Sequence, residues 1–498
     1  MITRRFFIGG LAGACATGAG RLFAVPAGTA SGGTPALTIG MLSDIHIYLA
    51  PGGKKLVDAY STQTFERALE WFRDNGADVV AIAGDIAHSG LAGELKAVAD
   101  TWFKVFPGDK APDGRHVERV FVAGNHDWAD SPRAKKVFED EAERNANLLV
   151  RNPAKWWDEV FHEEWKPHFM KVVKGYPFIG AHWCNKGCTG HDEDFTVGLE
   201  EFYASCKASL DPSRPFFHIQ HPVPKGTAHG DDVWGQDNGV STRILSAFPN
   251  AVAFFGHCHT SLTDERAIWQ GAFTSVGCAS LRDVSITVPG LLGVKAGMEN
   301  GKTPKKSFEK FDPVKAMEIP ERKDCRQGQL VRVYPDRIVF SRREFITGAP
   351  LGDDLVMPLP AAEKKPFAFT ERLKGAVAPE FPQGAELKVV RTKGRLRGDD
   401  KTGPREADVW ELSFPAAVAA KVARPGAYEI TATGAKGKGK TFGMSATGAR
   451  FPQSDPRASK PCVFRVACSR MPKKLRKFSV CAISCWGRRS APLAVDVP

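Results

Sequence analysis

Five short clusters in this sequence bring together residue types that bind cations: Asp44-x-His46, Gly84-Asp85, Gly124-Asn125-His126-Asp127, His221-Pro222 and Gly256-His257-x-His259. Taken singly they say little, since a lone Gly-Asp is a turn and a lone histidine is more often a core or surface residue than a ligand. In order, the five suggest one centre. Asp44 and His46 are two residues apart at a strand end, where side chains i and i+2 point to the same side, so they can grip one ion together. His257 and His259 flank Cys258 and can each reach one ion of a shared centre, and the two oxygens of Asp85 can bridge two cations. Asn125 adds a neutral carbonyl oxygen, and mixed imidazole and carboxylate ligands suit Zn, Fe or Mn. Two ions about 3.5–4 Å apart generate a hydroxide near neutral pH and clamp an in-line phosphoryl displacement.

The elements that must position these groups are also legible. Apolar runs at Leu37–Leu42, Val79–Ala83, Arg119–Ala123, Pro215–Ile219 and Ala251–Phe255 each end in one of the clusters, and Thr64–Phe72 has helical spacing. Buried strands alternating with helices predict an α/β fold with its functional residues on loops at the strand ends. Residues 131–210 suggest inserted helices, and 289–327, polar and long, a cover loop. Gln329–Tyr334 and Arg337–Ser341 form a predicted hairpin closing this domain. Beyond a linker at 358–366, the segments Tyr428–Thr433, Val463–Val466 and Phe478–Ile483 alternate like strands of a small β-sandwich.

The ordered pattern D-x-H, G-D, G-N-H-[DE], H, G-H-x-H resembles the calcineurin-like metallophosphoesterase superfamily, over roughly residues 37–345. The resemblance implies an α/β (α+β) fold, a four-layer β-sandwich flanked by helices, here followed by a small all-β C-terminal domain. It implies one ion held by Asp44, His46, Asp85 and His259, and a second by Asp85, Asn125, His221 and His257. A bridging hydroxide would attack phosphorus. His126 would stabilise the transition state or protonate the leaving oxygen, and Asp127 would orient its imidazole. The cofactors implied are two divalent or mixed-valence ions (Mn, Zn or Fe). The fourth motif departs from the family's pattern: His218-Ile-Gln-His221-Pro222 offers His218 as an alternate to His221. Where purple acid phosphatases carry a tyrosine, this chain has His88, so a tyrosine-bound ferric ion is not expected. His88, His182 and His229 are candidate substrate contacts, each with a bland alternative as a loop or core histidine. Cys258 is expected to pack rather than bind metal.

Composition bounds the rest. The 498 residues, 43% hydrophobic and 25% charged, fit a folded multidomain chain. No apolar run approaches the ~18 residues of a membrane span. Thr3-Arg4-Arg5-Phe6-Phe7-Ile8 followed by a Gly/Ala-rich stretch to Ala30 resembles a bacterial twin-arginine export signal, implying a periplasmic or secreted protein. The expected units are 1–30 signal, 36–357 phosphoesterase, 358–366 linker and 367–498 basic β-domain. Residues 361–498 hold 27 basic against 12 acidic groups, a balance of +15, against −3 for 1–360. Such a unit would attract an anionic envelope surface, with a solvated basic face as the ordinary reading. The Lys473–Lys477 run lacks interleaved aromatics, so sequence-specific nucleic-acid binding is not expected. Cys462, Cys468, Cys481 and Cys485 are the expected place for disulfides in an exported protein.

The function expected is hydrolysis of phosphate esters. Diesters are slightly favoured over monoesters, because no basic clamp for a terminal phosphate stands near the motifs. The competing readings are a catalytically silent metal-binding scaffold and an envelope-polymer-binding protein acting through its C-terminal domain.

Overall fold

The computed structural model describes residues 33–57, 59–128, 132–183, 197–230, 233–286, 325–396, 405–418, 424–435, 437 and 439–497. The expected export signal and almost all of the expected cover loop lie outside the described residues.

In chain order the first part comprises β1 (Leu37–Leu42), α1 (Ala59–Asp74), β2 (Val79–Ala83), α2 (Ala92–Val105), β3 (Glu118–Val122), α3 (Pro132–Val137), α4 (Glu141–Asn147), α5 (Pro153–Phe161), β4 (His168–Val173) and β5 (Tyr176–Ala181). There follow α6 (Leu199–Cys206), β6 (Phe216–Gln220), α7 (Val240–Leu245), β7 (Ala251–Phe255), β8 (Ile268–Gln270), β9 (Thr274–Gly277), β10 (Gln327–Val333), β11 (Arg337–Glu344) and β12 (Leu355–Pro358). They build two six-stranded sheets, in the orders β12-β11-β10-β1-β2-β3 and β4-β5-β6-β7-β9-β8. The first sheet is parallel from β1 through β2 to the edge strand β3 and antiparallel on its other side, and the second is parallel through its middle, β5-β6-β7-β9, with antiparallel β4 and β8 at its edges.

Strands covered on both faces must be apolar throughout, which is why these ones stand out as continuous runs. Their two-residue period sorts the side chains between layers. Leu37, Ile39, Met41, Val79 and Ala81 meet Phe178, Phe217, Ile219, Val252 and Phe254 between the sheets. Val80 and Ile82 face outward onto α1 and α2, where Phe65, Ala68, Leu69 and Phe72 supply the apolar stripe of α1. Leu199, Tyr203, Ile244 and Leu245 of α6 and α7 cover the second sheet. The result is four layers, helices outside two facing sheets, the arrangement that the resemblance implies.

The segment 131–210 is more than helices and loop, since it also carries β4 and β5. Ala361 and Phe367 are buried between the two large sheets, and Phe367 N–H donates to Gln270 Oε1 at 3.1 Å, so the chain leaves this domain by packing against it.

After α8 (Phe369–Lys374) come β13 (Lys388–Leu396), β14 (Arg405–Phe414), β15 (Pro425–Gly434), β16 (Gly439–Ser445), β17 (Cys462–Ala467), β18 (Leu475–Ser484) and β19 (Leu493–Asp496). They form two antiparallel sheets, β13-β14-β17 and β16-β15-β18-β19, around Leu412, Phe414, Tyr428, Ile430, Phe464, Val466, Phe478 and Val480. Lys473 and Lys474 are exposed just before β18. The expected disulfides are not there: Cys462, Cys468, Cys481 and Cys485 are all free thiols. Cys462 starts β17 in one sheet and Cys481 lies in β18 of the other, so the sandwich is held by its apolar core and not by a staple.

Candidate metal centre

The loops that follow β1, β2, β3, β6 and β7 leave the C-terminal ends of parallel strands in both sheets and meet at one edge of the sandwich. Asp44, His46, Asp85, His257 and His259 all have left-handed backbones, φ between 49° and 65°. That region is sparsely used by residues other than glycine, although Asp and His tolerate it better than most. Each such residue costs on the order of 1–3 kcal/mol, and strain of this kind concentrates at functional sites. Asp44 and His46 therefore share a side by leaving the strand conformation, not by continuing its alternation. Gly256 is required by close approach: a Cβ there would lie 1.7 Å from Ser43 Oγ and 2.4 Å from Asp44 Oδ2.

Among the described residues three groups of three ligand-type side chains result: Asp44, His46 and His259; Asp85, His221 and His257; and His46, His88 and His126, which adjoins the first through His46. In the first, His46 Nε2 and His259 Nε2 are 3.2 Å apart, and lie 3.6 and 2.9 Å from Asp44 Oδ1. In the second, His221 Nε2 lies 3.1 Å from His257 Nδ1, 3.2 Å from Asn125 Oδ1 and 3.2 Å from Asp85 Oδ2. Asp85 Oδ2 is also 3.5 Å from His46 Nε2, so one carboxylate oxygen faces both groups.

The other side of four of these ligands, Asp44, Asp85, His221 and His259, is already tied. Asp44 Oδ2 accepts from Ser43 Oγ at 2.7 Å and from His257 N–H at 2.9 Å, while Oδ1 is buried with no hydrogen bond. Asp85 Oδ1 accepts His126 N–H at 2.9 Å. His221 Nδ1 donates to the Ala83 carbonyl at 2.7 Å, and His259 Nδ1 to Asp283 Oδ1 at 2.5 Å. Those bonds fix the tautomers and leave the Nε2 lone pairs facing the cluster, as in metal-bound histidines whose far nitrogen is hydrogen-bonded. A buried carboxylate oxygen faced only by imidazole nitrogens, which become donors once deprotonated, is the donor set of a cation, and the residues fit two.

Charge follows the same logic. Burial alone would raise Asp44 and Asp85, yet His259 and His221 hold Asp44, and His221 and His46 hold Asp85, well below the ordinary carboxylate value. Burial alone would lower His221, but the charges of Asp85 and Asp44 push it up to about 9. Burial, which the Asp44 and Asp85 carboxylates only partly offset, takes His46 down to about 4.

Around this cluster the expected residues part ways. His126 stands beside it, its ring edge-on to His46 with centroids 4.6 Å apart and its Nδ1 2.8 Å from the His88 carbonyl. Asp127 does not orient that imidazole. Its Oδ1 accepts Ala87 N–H at 2.6 Å, and its Oδ2 accepts Gly124 N–H at 2.6 Å and Ile86 N–H at 3.2 Å, so both oxygens are spent on backbone. His88 does face the centre, with its Nδ1 3.4 Å from His46 Nδ1. His182 is no substrate contact: it is buried among Trp157, Trp165 and Phe169, and its Nδ1 accepts Ala123 N–H at 3.0 Å. His229 is likewise buried and faces Asp264, 3.7 Å away, on the inner side of the loop. Cys258 packs there, beside Val223, Ala228, Val233 and Phe255. His218, the alternate ligand, is locked in the core between Tyr203 Oη and Gln220 Oε1.

The sequence did not point to three residues at the rim, Asp283, Arg282 and Arg133, whereas the stretch beginning at Trp234 reads as either a substrate-contacting or a solvated loop. Asp283 holds His259. Arg282, next to it, donates to His88 Nδ1 and lies over the Tyr48 ring. The Arg133 guanidinium comes within 3.3 Å of His126 Nδ1. Trp234 stacks on His257, rings 4.4 Å apart. Their sequence neighbourhoods carry no ligand-like spacing, and only the fold brings them to the centre. The two arginines remove the basis for favouring diesters.

Residues 37–261, a little under half of the chain, match the family model Calcineurin-like phosphoesterase. Solved structures with similarity include a dimetal phosphatase from Danio rerio, 11% identical, TM-score 0.37, covering 65% of this chain and 99% of its own. A purple acid phosphatase from yellow lupin (Lupinus luteus) seeds is 13% identical, TM-score 0.37, over 65% of this chain and 54% of its own. Vacuolar Protein Sorting 29 from Cryptosporidium parvum is 8% identical, TM-score 0.26, over 65% of this chain and 97% of its own. No curated protein matches the chain.

Proposed function

We propose that this chain is an exported, dimetal-dependent hydrolase of phosphate esters. The observation that carries the reading is the pair of three-residue clusters joined through Asp85 Oδ2, with Asp44 Oδ1 buried and without a hydrogen bond beside them. Asp44, His46, His259 and Asp85 would hold one ion, and Asp85, Asn125, His221 and His257 the other. When bound, such ions neutralise phosphoryl oxygens and activate water as the nucleophile.

The chain's own residues do the rest. With Nδ1 at the His88 carbonyl, His126 keeps Nε2 for the leaving oxygen or for charge developing on phosphorus. Arg282 and Arg133 bring positive charge to the His88–His126 rim, where non-bridging oxygens of a terminal phosphate would be drawn as readily as a diester. Asp127 holds the backbone that carries Asp85 and His126. Arg4-Arg5 and the Gly/Ala-rich stretch after them support export by the twin-arginine route, with metal loading before translocation.

The test is hydrolysis of p-nitrophenyl phosphate and bis-p-nitrophenyl phosphate by the full chain loaded with Mn, Zn or Fe(II). Turnover should fall by at least about 100-fold in His126→Ala and be lost in Asp85→Ala. Metal-loaded, folded protein that cleaves neither ester, or an Asp85→Ala variant as active as the parent, would contradict the reading.

A further inference from the structure

Among the described residues, the exposed large apolar side chains are seven valines and Trp234, which at 70% is the most exposed of these eight. Its place is not incidental. The indole lies parallel to the imidazole of His257, centroids 4.4 Å apart at 26°. Trp183 approaches the same imidazole from another direction, at 5.7 Å, and stands 6.2 Å from His221. Two indoles therefore wall the half of the centre built by His221 and His257, while Arg282 and Arg133 stand by His88 and His126.

The loop that presents Trp234 is firmly held. Val223 N–H donates to the Gly235 carbonyl and Asp237 N–H to the Val223 carbonyl, both at 2.9 Å. Asp237 Oδ1 accepts from Lys225 N–H and Gly239 N–H at 3.0 and 2.8 Å, and its Oδ2 accepts from Gln220 Nε2 at 3.2 Å. Gly235 has φ of +89°, and a Cβ there would lie 2.6 Å from His257 Cδ2, so only glycine lets the loop set the indole this close. One face of Trp234 is spent on His257, and the other is open beside the centre.

We propose that Trp234, flanked by Trp183, is a stacking platform for a planar ring in the organic half of the substrate ester. This rests on the hydrolase reading above and narrows it to phosphate esters of ring-bearing alcohols. A phosphate drawn between the candidate metal ligands and the arginines leaves its organic group toward the indoles, where a π face gains more than a flexible alkyl chain does. Two sources share this chemistry, a nucleoside and a simple aryl alcohol.

The experiment measures kcat/KM of the metal-loaded full chain on adenosine 5′-monophosphate, phenyl phosphate and glycerol 2-phosphate, for the parent, Trp234→Ala and Trp234→Phe. Ratios of variant to parent on each ester cancel differences in leaving-group reactivity. Trp234→Ala should lower the ratio for a ring-bearing ester roughly tenfold more than for glycerol 2-phosphate, chiefly through KM, and Trp234→Phe should restore most of it. Whichever ring-bearing ester loses more identifies the source. Equal losses on all three esters would overturn the proposal and leave the indole as a support for His257. A readout without turnover separates this from the hydrolase reading: adenosine or benzyl alcohol should quench tryptophan fluorescence saturably in the parent and not in Trp234→Ala. Quenching with no hydrolysis of any ester would keep the platform and discard the hydrolase, and no saturable quenching by either ring would discard the platform.

Discussion

His221 and His259 are where the chemistry of single residues can be read most directly. Burial would lower both imidazoles, but the carboxylates of Asp85 and Asp44 raise His221 to about 9, and Asp44 with Asp283 raises His259 well above its ordinary 6.5. A folded value above the unfolded one means that these protonated imidazoles stabilise the metal-free protein fully below about pH 6.5; His221 loses its contribution as pH rises through about 9, and His259 loses its own only well above its ordinary value. A cation needs the neutral ring, so its entry must expel those protons. Metal binding at pH 7 should release about one to two protons per chain, and apparent affinity should climb as pH rises from 6 toward 9. Calorimetric titration in buffers of differing ionisation enthalpy measures both. An affinity independent of pH over that range, with no proton release, would show that His221 and His259 are not ligands.

At the level of elements, the centre depends on loops from two sheets being held in register, and Asp127 is the fastener between two of them. Its carboxylate takes three backbone N–H groups, two after β2 and one after β3. Asp127→Ala leaves those buried donors unpaired and should destabilise the metal-free protein by roughly 2–3 kcal/mol, with Asp127→Asn intermediate because an amide offers one acceptor oxygen. Urea unfolding checks this. A variant that loses turnover but keeps its stability would return Asp127 to the role of orienting His126. Much of this architecture was legible beforehand because buried parallel strands must be apolar throughout, so β1, β2, β3, β6 and β7 announced themselves, and the polar clusters that end them fell on the loops that meet. The rest left no local trace. The left-handed turns at Asp44 and His46 have no sequence period, β4 is only half-buried and lacks an apolar run, and Arg282 and Arg133 reach the centre only through tertiary packing. His182 and His229 lie near strand ends and ligands in sequence, but their side chains point into cores.

Over the whole molecule, the C-terminal sandwich is joined to the two-sheet domain before it by buried polar contacts rather than by a bare tether. Arg450 is 2% exposed, its guanidinium donates to the Val284 carbonyl at 2.8 Å, and its own carbonyl accepts Gln327 Nε2 at 2.8 Å. Val284 follows the Arg282-Asp283 pair, so a residue of the basic domain braces the segment that holds His259. Trp486 Nε1 donates to Glu265 Oε2 at 2.6 Å, and Arg372 meets the same carboxylate. The inner side of the sandwich thus supports the segment that holds His259. No helix among the described residues is long and apolar enough to cross a membrane. A centre for two ions sharing Asp85 is tested by counting the ions that one chain holds. Chelator-stripped protein would be reloaded with Mn(II) or Zn(II), desalted and assayed for bound metal by mass spectrometry. Two ions per chain in the parent, falling to one or none in Asp85→Ala, is the expected result. A folded parent that retains one ion or none, with every ligand in place, would contradict the account.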